Sequence, residues 1–85
     1  MVRDKDIVAI FHSIHRVMKA EKVLKLAGAD FLLIPVPRQL ASDCGLAIRY
    51  TKQEQNKVEA VLDSEGLQPA ELYRREGKGY IRLEP

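Results

Sequence analysis

The sequence has few of the residues that most often build chemical sites. Among 85 residues there are one cysteine, two histidines and no tryptophan, and aromatic residues make up 6%. One cysteine cannot form an internal disulfide, and a lone thiol is typical of a reducing compartment. A structural zinc site normally needs four nitrogen or sulfur ligands, which this chain does not supply. We therefore expect no metal site.

The chain also lacks long hydrophobic runs and a strong charge of either sign. No apolar stretch approaches the roughly 20 residues of a membrane span, and the apolar segment 7–11 is too short for a signal peptide. The net charge is +2, from 14 basic and 12 acidic residues mixed along the chain. Nucleic-acid-binding proteins usually concentrate basic residues on one face. We predict a cytoplasmic protein with neither a membrane nor a nucleic acid as partner.

Hydrophobic residues make up 46% of the chain, which is enough for a packed core. The length suits a single domain, residues 1–85, which we divide into a folded core at about 7–74 and a tail at 75–85. Short apolar runs predict strands at residues 7–11, 31–34, 45–50 and 70–74, with a short extra strand at 80–83.

Two helices are predicted between these strands. Ser13 as N-cap and Gly28 as terminator bracket the first helix, whose buried stripe includes Ile14 and Met18. Residues 51–54 form a capping box for the second helix, which Gly66 ends. The order β-α-β-β-α-β indicates an α+β, ferredoxin-like sandwich, with a four-stranded antiparallel sheet and two helices on one face. Because the first two strands are apolar on both sides, we expect a second subunit or the C-terminal tail to cover the open face, and so a possible homodimer.

The lone cysteine, Cys44, lies where this topology would bring reactive groups together. Strands one and three are antiparallel neighbours in it, so Ser13 at the end of strand one lies beside Gly45 at the start of strand three. The helix that begins there offers unpaired N–H groups and a partial positive charge, which favour a thiolate. Protonated His15 would act in the same direction. Gly45 allows close backbone approach or a backbone angle that other residues resist.

Arg38, in the loop before Cys44, is a further candidate for this site. The structural alternative is that Cys44 is only a small buried hydrophobe, Ser13 only a helix cap, and His12 and His15 ordinary surface residues. The sequence alone leaves both interpretations open.

Four segments closely resemble one family of small bacterial domains. They read FHSIH at 11–15, KAEK at 19–22, LIPVPR at 33–38 and SDCGLAIR at 42–49. They resemble the selenium/sulfur carrier protein-like family, long catalogued as a domain of unknown function, and the match covers about residues 7–74. The most specific piece is the proline–arginine loop that leads into Cys44-Gly45. Asp43 departs from the small residue expected there, and an acidic neighbour disfavours a thiolate.

The resemblance implies a carrier of sulfur or selenium rather than an enzyme that turns over a free substrate. Cys44 would hold the chalcogen as a persulfide-type adduct, receive it from a donor protein and pass it to an acceptor protein. Ser13 and His15 would stabilise the anion, Arg38 could guide an acidic partner, and no cofactor would be needed. The rival hypothesis is a non-catalytic module of ferredoxin-like fold that binds a small molecule or a protein, with residues 35–45 as its ligand or interface loop.

Overall fold

The computed structural model of the protein describes residues 2–40 and 45–84. Cys44, the central residue of the sequence-based hypothesis, lies outside these ranges together with residues 41–43. The described elements follow the order β1 (Ile7–Ile10), α1 (Ile14–Leu26), β2 (Leu32–Pro35), β3 (Leu46–Tyr50), a 3-10 turn (Lys52–Glu54), α2 (Gln55–Ser64), β4 (Glu71–Glu76) and β5 (Gly79–Leu83).

Within the described residues, five antiparallel strands form one sheet in the order β2-β3-β1-β4-β5. The prediction of four strands was wrong, because the extra strand considered near the C-terminus pairs with β4 over the whole of its length and enlarges the sheet. The predicted neighbours are confirmed for β1 and β3, with Ile10 opposite Ala47. The other side of β1 pairs with β4, where Ile10 is opposite Glu71.

One face of the sheet packs against both helices. Alternate strand residues such as Ala9 and Ile48 share a fully buried cluster with Leu24 of α1 and Leu62 of α2. Burial of this kind is worth roughly 1.5–3 kcal/mol per large aliphatic side chain and is the main force holding the layers together. The helices therefore cover this face, which leaves the opposite face to be covered by something else.

The opposite face, here called the open face, is covered by segments of the same chain. Its buried residues include Val8 and Ile10 of β1, and Leu40, which follows β2, is buried against them at 8% exposure. Tyr80 of β5 packs against the same cluster. The loop after β2 and the C-terminal strand thus supply this cover, for which the sequence analysis named a second subunit or the C-terminal tail. The homodimer stays a prediction, but an uncovered sheet face no longer argues for it.

The ends of α1 follow the sequence, but its buried stripe is narrower than predicted. The hydroxyl of Ser13 accepts a hydrogen bond from the Arg16 backbone N–H at 3.3 Å, and Gly28 follows the helix in a left-handed conformation. The prediction that Ile14 and Met18 join the buried stripe was wrong, since they are 46% and 44% exposed. These two lie to one side of the stripe that faces the sheet, whose fully buried residues are Val17, Ala20 and Leu24.

The capping box before α2 forms only in half. The Thr51 hydroxyl accepts a hydrogen bond from the Glu54 backbone N–H at 3.4 Å, as predicted. The Glu54 carboxylate instead accepts one from the Asp30 backbone N–H at 3.0 Å, which ties the start of α2 to the turn after α1. A tertiary contact has therefore taken the place of the predicted local one.

Candidate functional site

The candidate site lies at the end of the sheet where β1 finishes and β3 and β4 begin, here called the Gly45 end. The β1–β3 register places residues 11–13 and 45–46 at this same end. The chain of β2 also finishes there, because Pro35 is opposite Leu46 and the Val36 N–H donates to the Gly45 carbonyl at 3.0 Å. Cys44 precedes Gly45 in sequence, so the described part of the site consists of the neighbours of Gly45.

Gly45 is required by its backbone angle rather than by lack of space. Its φ is +75°, in the left-handed region that residues with a Cβ adopt at a cost. A Cβ built on it would meet nothing within 4 Å. Of the two reasons considered from the sequence, the structure therefore supports the conformational one.

Ser13 and His15 lie at the beginning of α1, at the Gly45 end. Ser13 is the N-cap, so its oxygen already serves the helix, although its O–H remains able to donate elsewhere. The His15 side chain is exposed and makes no hydrogen bond or ion pair within residues 2–40 and 45–84. The backbone N–H groups of Ile14 and His15 have no intrahelical partner, as at any helix start. This end of the sheet therefore offers hydrogen-bond donors to an anion.

Arg38 lies away from these groups. It lines a groove on the open face together with Arg75 and Tyr80. Arg75 belongs to the opposite end of the sheet, because its N–H donates to the carbonyl of Asp6, just before β1 begins. The side chain of Gln39, next to Arg38, donates to the Lys78 carbonyl in the β4–β5 turn at 3.2 Å. The loop after β2 therefore crosses the open face. The sequence could not show this path, since loop direction is set by tertiary contacts. A role for Arg38 at Cys44 stays a prediction.

A histidine–carboxylate pair at the Gly45 end was missed by the sequence analysis. The Nε2 atom of His12 contacts Oε2 of Glu71, with the two side chains 33% and 19% exposed. His12 has a φ of +56°, an uncommon conformation for a residue with a side chain. The two residues are 59 positions apart in sequence. The predicted strand order could have indicated this pair, because the start of the fourth strand lies beside the end of the first.

Glu71 is the centre of a small polar cluster. The Tyr73 hydroxyl donates to its Oε1 atom at 2.5 Å, and Arg82 Nη1 lies 3.6 Å from the same oxygen. Hydrogen bonds from Tyr73 and then from His12 hold the pKa of the Glu71 carboxyl below its ordinary value. The same bond to Glu71 raises the pKa of the Tyr73 hydroxyl. Glu71 therefore remains an anion that orients the His12 ring, as carboxylates orient histidines in many reactive sites.

Two other kinds of site are absent from the part of the chain that the structure describes. No group of three or more histidine, cysteine, aspartate or glutamate side chains within 2–40 and 45–84 is placed to hold a metal ion. No helix of that part of the chain is both long enough and apolar enough to cross a membrane.

Comparison with known proteins identifies a family and a bacterial relative. Residues 6–74 match the family described as "Putative Se/S carrier protein-like". The chain is 33% identical over 58 residues to an uncharacterized protein of Escherichia coli strain K12, YtiA, and this match covers 68% of each chain. No solved structure matches. Since the family match spans most of the sequence, including the Gly45 end, the protein belongs to the selenium/sulfur carrier protein-like family.

Proposed function

We propose that the protein is a sulfur or selenium carrier whose cargo is bound to Cys44. The thiolate of Cys44 attacks the terminal sulfur of a persulfide on a donor protein. The sulfur–sulfur bond of the donor breaks, a new one forms on Cys44, and the donor leaves as a thiolate, so no external oxidant or reductant is consumed. The same exchange with a terminal selenium atom would load selenium. A second exchange passes the atom to an acceptor protein.

The observation that carries this proposal is the family match over residues 6–74, which includes the cysteine–glycine pair. The described neighbours of Gly45 are consistent with thiolate chemistry. The first turn of α1, with Ser13 as its N-cap, begins at the same end of the sheet. A helix start stabilises a nearby anion and so lowers a thiol pKa. A single cysteine also suits transfer to another protein, because the chain has no second thiol to resolve the adduct.

The His12–Glu71 pair gives the carrier a second way to control the thiol. Glu71 contacts the His12 ring through Nε2. An imidazole held in this way can accept the thiol proton or, when charged, stabilise the thiolate. We assign His12 this role in preference to His15, whose ring has no orienting partner in the described part of the chain.

The arrangement of the strands supports a ferredoxin-like fold. We infer that β1 to β4 and the two helices form a ferredoxin-like unit, to which β5 adds a fifth strand beside β4. The order β2-β3-β1-β4 within the sheet supports this assignment. It also explains why the candidate groups converge, since the two central strands of that unit place their loops at one end.

Mass spectrometry of the intact protein tests the proposal directly. The reduced protein is incubated with glutathione persulfide and then separated from it. We expect a mass gain of one sulfur atom that dithiothreitol removes, and the Cys44→Ser variant as the matched control should gain nothing. Wild-type protein that gains no sulfur, or a variant that gains as much, would reject the carrier function.

Alkylation kinetics test the assignment of His12 separately. The rate of Cys44 alkylation by iodoacetamide is measured against pH for wild type, His12→Ala and His15→Ala. We expect His12→Ala to move the rate profile to higher pH by more than His15→Ala does. If the His15 variant has the larger effect, the sequence-based choice was right and the His12 assignment is wrong.

A further inference from the structure

The open face carries a groove that begins beside the Gly45 end, at Pro35 and Val36, and extends to Arg75 and Tyr80. Its volume is about 490 Å³, within the range of roughly 300–1,000 Å³ typical of small-molecule sites. One wall is the loop after β2, and the other is the β4–β5 hairpin. Apolar side chains line most of it, among them Val2, Ile34 and Val36.

The charged groups that line the groove are all positive. Arg38 and Arg75 contribute guanidinium groups, and no carboxylate is among the described lining residues. Arg38 is exposed and makes no hydrogen bond or ion pair to any residue in 2–40 or 45–84. Neither guanidinium has a counter-ion within residues 2–40 and 45–84, and two such cations over an apolar surface favour an anionic ligand.

Arg75 is held in place before any ligand arrives. Its Nε donates to the Gly77 carbonyl at 2.8 Å and its Nη1 to the Tyr80 hydroxyl at 3.2 Å. The guanidinium carbon also lies 5.1 Å from the centre of the Tyr80 ring. These contacts leave Nη2 without a partner among the described residues. A planar donor fixed in this way loses little entropy when it binds an oxyanion.

The opposite wall is also fixed. Pro35 at the end of β2 and Pro37 in the loop restrict the backbone of this wall. Leu40 anchors the loop in the open-face core, and the Gln39 side chain bonds the Lys78 carbonyl of the hairpin. This last bond joins the two walls, so the groove exists without a ligand.

We propose that this groove binds an organic anion with an apolar body and a carboxylate or phosphate head. The apolar body lies over Ile34 and Val36, and the head is held between the guanidinium groups of Arg38 and Arg75. The proposal goes beyond the carrier function, because the two guanidinium groups that hold the head are not among the groups assigned to the thiol chemistry of Cys44.

Fluorescence of anilinonaphthalenesulfonate, an apolar aromatic anion, tests the site in the native protein. We expect saturable binding to one site, and at least about tenfold weaker binding of the uncharged analogue N-phenylnaphthylamine, because that analogue cannot bond a guanidinium. Octanoate and octyl phosphate should displace the probe, and octanol should not. The better competitor of the two identifies the preferred head group. Equal binding of charged and uncharged probes, or displacement by neither anion, would overturn the proposal.

Charge-neutralising variants locate the bound anion. We expect Arg38→Gln and Arg75→Gln each to weaken probe binding by about tenfold, since each removes one charge-assisted contact. The matched control is Arg16→Gln, which removes the same charge from α1, outside the groove. Arg38→Gln decides the matter if Arg75→Gln loosens the hairpin, because Arg38 supports no other described residue. An unchanged Arg38→Gln variant, or an equal loss in Arg16→Gln, would show that the anion binds elsewhere.

Discussion

The two ends of β1 each carry an acid–base pair, but the pairs differ in burial and in their bonds. Before β1, Asp6 Oδ2 accepts from Arg49 Nη2 at 2.7 Å and Nε at 2.8 Å, and from the Arg3 backbone N–H at 2.9 Å. The two side chains are 6% and 14% exposed. After β1, His12 and Glu71 are 33% and 19% exposed.

The difference separates a structural pair from a chemical one. A charge taken out of water must be fully paired, and the donors around Asp6 meet that need. Glu71 keeps access to water, and its partner is an imidazole, which can both donate and accept a proton. The first pair therefore fixes the start of β1 against β3. The second can exchange protons at the end where the cysteine–glycine pair enters β3.

The largest expected effect comes from breaking the buried pair. Asp6→Asn leaves the Arg49 charge without a counter-ion, so we expect the free energy of unfolding to fall by about 3–5 kcal/mol. Urea denaturation measures this loss. The double variant Asp6→Asn/Arg49→Met should recover part of it, because the uncompensated charge is gone. A loss below about 1 kcal/mol would place the pair among ordinary surface ion pairs.

The Gly45→Ala variant tests the backbone conformation at the Gly45 end of the sheet. Its φ of +75° should make alanine cost about 1–2 kcal/mol in unfolding free energy. Gly79→Ala is the matched control, since Gly79 has no positive φ and equally open surroundings. Urea denaturation of both variants checks this. Equal costs in the two variants would mean that backbone conformation is not the reason for Gly45.

The two faces of a strand could be predicted from the sequence because they follow from periodicity. The alternation of Leu46, Ile48 and Tyr50 with Ala47 and Arg49 assigned the faces of β3, and the clusters confirm them. The start and end of α1 followed from Ser13 and Gly28. These signals are local, and burial and capping obey the same local rules in most folds.

The parts that the sequence did not show depend on contacts distant along the chain. The groove exists because the loop after β2 crosses the open face to reach Lys78 in the hairpin. The His12–Glu71 pair required the β1–β4 register, which puts Glu71 opposite Ile10. The sequence analysis predicted wrongly that Ile14 and Met18 are buried. Helical spacing shows which side of a helix is apolar, but it does not show how wide the buried part of that side is.

Substitution of His12 should have a smaller effect on stability. Two variants separate the contribution of the Glu71 contact from the cost of the positive φ. Both His12→Ala and His12→Gly remove the contact with Glu71, but glycine also relieves the positive φ. We expect His12→Ala to lower the free energy of unfolding by about 1 kcal/mol, because a partly exposed pair contributes little. His12→Gly should be the more stable of the two variants by about 1 kcal/mol. If both lose as much as Asp6→Asn, the comparison between the two ends fails.

The smallest expected effect is the pH dependence that Glu71 gives to stability. Its folded pKa is held below the ordinary value by Tyr73 and then His12, so the folded state favours the ionised form. That stabilisation is present above the pKa of the unfolded chain and is lost as pH falls through the lowered folded pKa. The Glu71→Gln variant lacks this contribution at every pH. The stability gap between wild type and variant should therefore be wider at about pH 6 than at about pH 3.

Urea denaturation at a series of pH values measures that gap. Glu76, whose pKa Lys5 and then Arg74 also hold down, destabilises both proteins equally in acid and cancels in the difference. Glu65→Gln is the control, since the Glu65 side chain is exposed and makes no hydrogen bond in the described ranges. Its gap should stay constant with pH. A constant gap for Glu71→Gln as well would mean that the Glu71 charge is not favoured by folding, and the orientation of His12 would need another cause.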